Sequence, residues 1–385
     1  MEPDLPDDIL HLIAGKLSSL VCYAAFRSVC RLWRSISLKY YSHLVPPRPP
    51  WLMFPYRSTV DLNSRLCYLC SFDGSKFKRF FKVEIPEGCT YGCSSGTWLI
   101  FNDIKKDKLR VWNPLSLTQI LLPYSVDSEN KLAIVRPRKV IVSCTGPLIK
   151  NPDNVIFGIL YNLSKLAFIR LGDKDWTFIE VDFLHHQMPK ASAMVPEFAD
   201  IIFHHGKLYA VNLSGMVFVC EEGVHAPRYN DHHLQHIKAK MLIDQSYKMH
   251  ELGVAAQNSV HYLVEVDGDL LHVIQVLLSS SSYKSRLSIF KLDSATKKSY
   301  PVTSKSDLKG HSLFLSKWGS CNSAIVSETS RIYVSLLHAY YKLTMGFELA
   351  VFDYCKEGQD YSTLLRGIYR YHHPPPTWIV PTLGN

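Results

Sequence analysis

Four cysteines form two closely spaced pairs early in the chain, Cys67 with Cys70 and Cys89 with Cys93. Thiolates arranged as two close pairs are a common way to hold a structural zinc ion in tetrahedral geometry. The first pair, however, lies within an apolar run that has the composition of a β-strand. Residues three apart on a strand point to opposite faces, so these two thiols do not converge on one ion. We therefore predict buried free thiols and no metal site.

Histidines are the second group that could carry chemistry. The paired ones are His185 with His186, His204 with His205, His232 with His233 and nearby His236, and His372 with His373. His232 and His236 would share one face of a helix and could ligate a metal. We favour the alternative, a polar loop or short surface helix over residues 229–240, because a metal site also needs supporting groups around its ligands.

Sequence motifs of enzymes are missing from the chain. It has no Gly-x-Ser-x-Gly nucleophile elbow, no glycine-rich phosphate loop with lysine, no HExxH and no dinucleotide-binding fingerprint. The absence of a motif does not exclude catalysis, and a metal-dependent enzyme is the last alternative. We predict a protein that is not an enzyme, with no catalytic residues and no cofactor.

Basic and aromatic side chains interleave from Lys76 to Lys82. Such interleaving is typical of surfaces that bind single-stranded nucleic acid, but a half-buried strand gives the same alternation. The net charge of +9, from 43 basic and 34 acidic residues, is modest for 385 residues. We favour the strand and keep nucleic-acid binding as an alternative, since a basic face built from several elements would be stronger evidence.

Composition predicts a globular protein with one small module and one large domain, because 47% of the residues are hydrophobic and 20% are charged. We find no run of eighteen apolar residues and no secretory signal pattern, so we expect no membrane partner and a location in the cytoplasm or nucleus. In that setting the ten cysteines indicate free thiols rather than a disulfide framework.

The first forty-odd residues predict a small helical block. Ile9, Ile13 and Leu17 repeat at four-residue spacing, which makes one stripe of the first helix apolar. Two more short helices are expected over 23–30 and 31–38. Three helices of this length close only a minimal core, so part of their apolar surface should be left for a partner.

A proline-rich stretch over residues 45–51 separates this block, residues 1–44, from the rest of the chain, residues 52–385. Prolines make such a linker stiff and extended. Beyond it, β-branched and aromatic runs alternate with turn residues, which indicates an all-β domain. Apolar strands that end at Asn113, Asp293 and Asp353, and glycine turns at Gly96, Gly206 and Gly268, recur at about 50 to 70 residues, as expected for propeller blades.

The N-terminal block resembles an F-box, the motif that attaches substrate receptors to the adaptor subunit of cullin-RING ubiquitin ligases. The matching residues are Leu5, Pro6, Asp8, Ile9, Leu10, Ile13, Leu17, Phe26, Val29, Cys30, Arg31, Trp33 and Arg34. One departure is that Val21 and Cys22 stand where many family members have an acidic residue. The resemblance implies that the adaptor-binding surface or its immediate support comprises Leu5, Pro6, Ile9, Ile13, Leu20, Val29, Cys30 and Trp33.

The rest of the chain is similar to plant F-box proteins with a KIB-type β-propeller. The resemblance rests on five segments, residues 94–99, 111–115, 121–123, 311–315 and 374–381. It implies an N-terminal three-helix F-box followed by a kelch-like all-β propeller with irregular blades. We expect residues 378–380 to form a strand that pairs with a blade near the start of the domain, because propellers seal their ring in this way.

Together these features predict the substrate-recognition subunit of an SCF-type ubiquitin ligase, in which the F-box binds the adaptor and, through it, the cullin, and the propeller binds a target protein. The target and the residues that bind it are unknown; candidate loops are residues 145–154, 223–236 and 279–282. Two further alternatives are a protein-binding scaffold whose F-box is degenerate, supported by the departure at Val21, and a nucleic-acid-binding protein.

Overall fold

The structure, a computed structural model, describes the chain in segments. The described residues are 5–17, 20–38, 49–55, 65–72, 77–114, 118–124, 137–143, 156–161, 165–182, 197–220, 238–251, 258–277, 285–317, 319, 321–325, 330–339, 344–353, 360–370 and 377–380. No helix in these segments is long and apolar enough to span a membrane.

Three short helices form the N-terminal block, as the sequence predicts. They are α1 (Asp7–Lys16), α2 (Leu20–Ser28) and α3 (Arg31–Leu38). Pro6 precedes the first turn of α1, where a missing backbone N–H costs nothing, and Asp7 and Asp8 place negative charge at the helix N-terminus. The small core of the block consists of Leu10, Ala14, Phe26 and Ile36.

The remainder of the described chain is almost entirely β-strand, and the strands form five sheets. The first sheet contains β1 (Trp51–Pro55), β2 (Leu66–Phe72), β3 (Phe77–Glu84) and the C-terminal strand, and the second contains β4 (Cys89–Ser95), β5 (Trp98–Asp103), β6 (Lys108–Trp112) and β7 (Gln119–Pro123).

The third sheet has eight strands and joins two four-stranded units. One unit is β8 (Pro137–Val142), β9 (Ile156–Tyr161), β10 (Lys165–Arg170) and β11 (Thr177–Asp182), and the other is β12 (Phe198–His204), β13 (Lys207–Asn212), β14 (Val217–Cys220) and β15 (Lys238–Ile243). Their outermost strands, β11 and β15, pair in parallel. The short helix α4 (Ser246–Glu251) follows β15.

The last two sheets complete the ring. One is β16 (Ser259–Val266), β17 (Asp269–Leu277), β18 (Ser285–Asp293) and β19 (Lys298–Pro301), and the other is β20 (Ser312–Ser316), β21 (Asn322–Ala324), β22 (Arg331–Ala339), β23 (Thr344–Asp353) and β24 (Asp360–Arg370). A 3-10 turn at Lys305–Leu308 connects these sheets. The first strands of successive units lie next to one another around the axis, so the fold is the predicted irregular β-propeller.

Strand β25 (Thr377–Ile379) closes the ring, as the sequence predicts. It pairs antiparallel with β1, placing Trp378 opposite Leu52. Trp378 is fully buried, and its ring meets that of Phe314 edge-on at a centroid distance of 4.9 Å. The end of the chain therefore supplies the innermost strand of the first sheet, so that the propeller is sealed by hydrogen bonds between its two ends.

Tight turns explain why the glycine motifs recur. Gly206 and the preceding His205 both have positive φ, at 75° and 47°, and Gly268 and Asp267 repeat this at 82° and 49°. Two consecutive positive-φ residues are what a type I′ hairpin turn requires. These turns join β12 to β13 and β16 to β17, so the repeated glycines mark the hairpin between the first two strands of a unit.

A circuit of specific bonds connects the innermost strands around the axis. Backbone N–H groups of β8 donate to β4: Val140 to Cys93 Sγ at 3.1 Å and Val142 to Ser95 Oγ at 2.8 Å. Ser94 Oγ donates to the Trp378 carbonyl at 3.1 Å, which joins β4 to β25. These bonds join the second sheet to the first and to the third, whose described strands do not pair with it in a ladder.

Asp200 continues the circuit across three units. Its carboxylate on β12 accepts from the Lys139 ammonium on β8 and, at 2.8 Å, from the Leu263 N–H on β16. Ser323 Oγ on β21 then donates to the Glu265 carbonyl at 2.6 Å. The side chains of Lys139 and Asp200 are only 3% and 2% exposed, so this ion pair is a buried contact between neighbouring units.

Candidate functional site

Large apolar side chains are exposed on the N-terminal helices. Ile9 and Leu12 on α1 are 44% and 56% exposed, and Val29 and Leu32 around the start of α3 are each 46% exposed. Ile9 and Leu12 are three residues apart on α1, which places them on the same side of that helix, whereas Val29 lies between α2 and α3 and Leu32 lies in the first turn of α3. Several large exposed apolar groups on one small helical block mark an interaction surface more often than an ordinary solvent face. We call these four residues the apolar face.

The structure divides the predicted adaptor residues into two groups. Leu5, Pro6, Ile9 and Val29 are exposed, whereas Ile13 and Trp33 pack against the core of the block and Cys30 is half-buried. The ring centroids of Trp33 and Phe26 are 4.5 Å apart. The side chain of Leu20 lies outside the described residues. The assignment of these residues to adaptor binding stays a prediction; the exposed group is open to a partner, whereas Ile13 and Trp33 are half-buried and also support the core.

Leu12 and Leu32 are the exposed residues that the sequence reasoning did not assign. The sequence feature that could have identified them is their spacing: each lies three residues after a residue predicted to bind the adaptor, Leu12 after Ile9 and Leu32 after Val29. Spacing alone does not separate the buried stripe of a short helix from an exposed one, because both repeat at three and four residues.

Leu17 and Tyr23 of the helical block pack against the propeller. Tyr23 on α2 is fully buried in a cluster with Trp51, Met53 and other residues of the first two sheets, and its hydroxyl donates to the Ser37 carbonyl of α3. The block is therefore seated on the side of the propeller where β1 and β5 lie.

Three of the four paired cysteines, Cys67, Cys70 and Cys93, are buried, and Cys89 is half-buried. Burial raises the pKa of Cys67 and of Cys93 to about 12, so both thiols are protonated at neutral pH. Cys67 and Cys93 belong to separate apolar clusters, and Cys93 Sγ is occupied by its hydrogen bond with Val140. Within the described residues, no three histidine, cysteine or acidic side chains group around a common point.

Of the histidine pairs, only His204 and His205 lie within the described residues. Nδ1 of His204 is 3.0 Å from Oε2 of Glu265. The pairs at 185–186, 232–236 and 372–373 lie outside. The structure instead brings together two histidines that are not sequence neighbours: the rings of His261 and His272 stack on adjacent strands, with Nδ1 and Nε2 2.9 Å apart.

The buried histidine pair predicts a pH dependence of stability. Burial lowers the pKa of His261 from 6.5 to about 4, and it lowers the pKa of His272 well below its usual value. Below pH 6.5 the unfolded chain gains protons that the folded chain does not bind, so stability is full above pH 6.5 and falls toward pH 4. One pKa unit corresponds to about 1.4 kcal/mol. For His261 alone, the free energy of unfolding therefore falls by about 3 kcal/mol once the pH is below 4.

Urea unfolding at pH 7.5, 6.0 and 5.0 measures this loss. The control is the His261→Gln, His272→Gln double variant, whose unfolding free energy should change less over the same range. Equal slopes for the two proteins would show that other groups cause the acid sensitivity.

The basic segment predicted as a half-buried strand forms β3. Lys78 and Lys82 are exposed, whereas Val83 is buried, and β3 pairs antiparallel with β2. The side chains of residues 79–81 lie outside the described residues. The three candidate target loops, residues 145–154, 223–236 and 279–282, also lie outside them.

A cavity of about 230 Å³ opens at the propeller axis. It is lined by residues from the first strands or turns of successive units, among them Ser95, Ile141, Ile202, Leu263 and Glu265. No short-range sequence signal marks it, because its lining residues are brought together only by closure of the ring.

Comparison with protein families identifies both parts of the chain. The F-box domain matches residues 3–44, and the KIB1-4 beta-propeller matches residues 69–352. Two Arabidopsis thaliana proteins named for their F-box are similar over most of their length. At5g55150 is 23% identical over 85% of this chain and 80% of its own, and At1g65740 is 22% identical over 88% and 86%.

A third Arabidopsis thaliana protein named for its F-box, At1g65770, is 28% identical over 56% of this chain and 58% of its own. Among solved structures, the Cps50 (Swd1) β-propeller domain covers 84% of this chain and 87% of its own, at 8% identity and a TM-score of 0.34. The propeller match alone spans most of the chain, and the protein therefore belongs to the F-box proteins with a KIB1-4 β-propeller.

Proposed function

We propose that this protein is the substrate-recognition subunit of an SCF-type cullin-RING ubiquitin ligase. The observation that carries the proposal is the exposed apolar face, which lies within the F-box match over residues 3–44. An F-box implies an adaptor of the Skp1 type and, through it, a cullin. The apolar face offers the desolvated centre that a stable protein interface needs.

In this role the protein carries out no bond chemistry. It holds a target protein near the ubiquitin-loaded enzyme of the ligase, which raises the effective concentration of the target and restricts its orientation. The buried position of Tyr23 supports this role, because a helical block seated on the propeller transmits orientation better than one on a free tether. The proposed place of action is the cytoplasm or nucleus.

Two double variants test the adaptor-binding surface, Leu5→Ala with Pro6→Ala and Ile9→Ala with Leu12→Ala. Truncating central interface residues typically costs about 2 kcal/mol or more, which is about thirtyfold in Kd. We therefore expect each double variant to bind purified adaptor at least about thirtyfold more weakly than the unaltered chain, measured by calorimetric titration.

The matched control is Ile325→Ala, because Ile325 is an equally exposed aliphatic residue, at 54%, on the propeller. Its adaptor affinity should equal that of the unaltered chain. If a folded, unaltered chain binds no adaptor, the scaffold alternative takes the place of the receptor proposal, and the departure at Val21 and Cys22 becomes its sequence basis.

A further inference from the structure

The axial cavity has the shape and chemistry of a site for a single side chain. Its volume of about 230 Å³ lies below the range of about 300 to 1,000 Å³ usual for small-molecule sites. Its lining residues include the half-buried aliphatic residues Val142, Ile202 and Val380. A cavity of this size with aliphatic walls suits a narrow chain of methylene groups better than a ring system or a folded ligand.

The cavity carries one formal charge at neutral pH. Among its lining residues, all of which are described, Glu265 is the one acidic or basic residue. The other titratable group, Cys321, is a neutral thiol because burial raises its pKa to about 12. The protein as a whole carries +9, so this carboxylate is a local negative group on a positively charged molecule.

Glu265 is both held in place and reachable. Its Oε2 lies 3.0 Å from Nδ1 of His204, which orients the carboxylate, while its side chain remains 46% exposed. Its backbone carbonyl is fixed by the hydrogen bond from Ser323 Oγ. A carboxylate positioned in this way can accept charge-assisted hydrogen bonds from an incoming cation.

We propose that the axial cavity binds a basic side chain, lysine or arginine, of the target protein. The aliphatic stem of such a side chain lies along apolar surface while its charged end reaches a polar partner. In this cavity the stem packs against Val142, Ile202 and Val380, and the cation meets Glu265. The inference rests on the receptor role proposed above and specifies the chemistry of the target group.

The test uses the full chain and two small probes, N-acetyl-lysine methylamide and N-acetyl-norleucine methylamide, which differ in the charged end alone. Binding is followed by titration with detection by nuclear magnetic resonance. A charge-assisted hydrogen bond predicts that the lysine probe binds about tenfold or more tightly than the norleucine probe. Glu265→Gln keeps the shape and removes the charge, so it should reduce this ratio to about one.

The matched control is Glu180→Gln, because Glu180 is a half-exposed carboxylate that pairs with Lys238 far from the cavity lining. It should leave the ratio unchanged. Equal binding of the two probes by the unaltered chain, or no binding of either, overturns the proposal, and this comparison holds even if the Glu265 variant does not fold. Adaptor binding measured on the same preparation tests the receptor role separately, so the two failures are distinguishable.

Discussion

Replacing Asp200 with alanine is expected to lower the free energy of unfolding by about 3–5 kcal/mol, because one partner of a buried ion pair is removed and the other is left uncompensated. Lys139 would keep its charge at 3% side-chain exposure, and the backbone N–H of Leu263 would lose its acceptor. Both groups belong to units next to that of Asp200, so the substitution removes contacts between neighbouring units of the propeller. Urea denaturation followed by circular dichroism measures it.

Glu180→Ala provides the control for this substitution. It also removes a carboxylate from an ion pair, with Lys238 at 3.3 Å, but both side chains are about half exposed. Exposed pairs contribute about 0–1 kcal/mol, so the control should lose little. If Asp200→Ala costs no more than Glu180→Ala, the buried pair does not join the units.

A second variant separates charge from packing. Lys139→Met combined with Asp200→Leu removes both charges together, and such replacements are often close to neutral. We expect the double variant to be more stable than Asp200→Ala. A more stable double variant would show that the unpaired Lys139 ammonium causes the loss of stability in Asp200→Ala.

Tyr23→Ala is expected to cost about 3–5 kcal/mol at the junction of the helical block and the propeller, as for other large aromatic truncations in a core. Tyr23 is fully buried among residues of the first two sheets, and its hydroxyl bonds to the Ser37 carbonyl. Hydrogen exchange should show faster exchange in α1 to α3 while the strands of the opposite side of the ring change little.

Tyr23→Phe is the matched control, because it keeps the ring and removes the hydroxyl alone. A single hydrogen bond contributes about 1 kcal/mol, so this variant should remain close to the unaltered protein. Unchanged hydrogen exchange in Tyr23→Ala would mean that the helical block does not depend on the propeller for its stability.

Local signals in the sequence predicted much of the fold. Strands β18 and β23 end at Asp293 and Asp353, as predicted, because apolar runs end at turn residues. Gly206 and Gly268 have positive φ because the hairpin turn requires it locally, so the positions of these turns could be predicted from the sequence. That β25 pairs with a blade near the start of the domain was predicted from how propellers seal their ring, not from local chemistry, and the structure gives β1 as its partner.

Long-range features were not predictable in this way. Lys139 and Asp200 are 61 residues apart, and neither has a neighbour that distinguishes it from a surface charge. The axial cavity and the stacked histidines likewise depend on which strands become neighbours. Leu12 was missed for a different reason: in a helix of three turns, exposed and buried stripes have the same period. Sequence therefore predicted an interaction surface on the helices but did not resolve which residues face solvent.

The most direct test of the receptor role is gel filtration with light scattering of the full chain mixed with purified adaptor and cullin. The proposal predicts a single complex that contains one copy of each protein and that the Ile9→Ala, Leu12→Ala double variant does not enter. A folded chain that elutes alone, while adaptor and cullin elute together without it, would contradict the proposal.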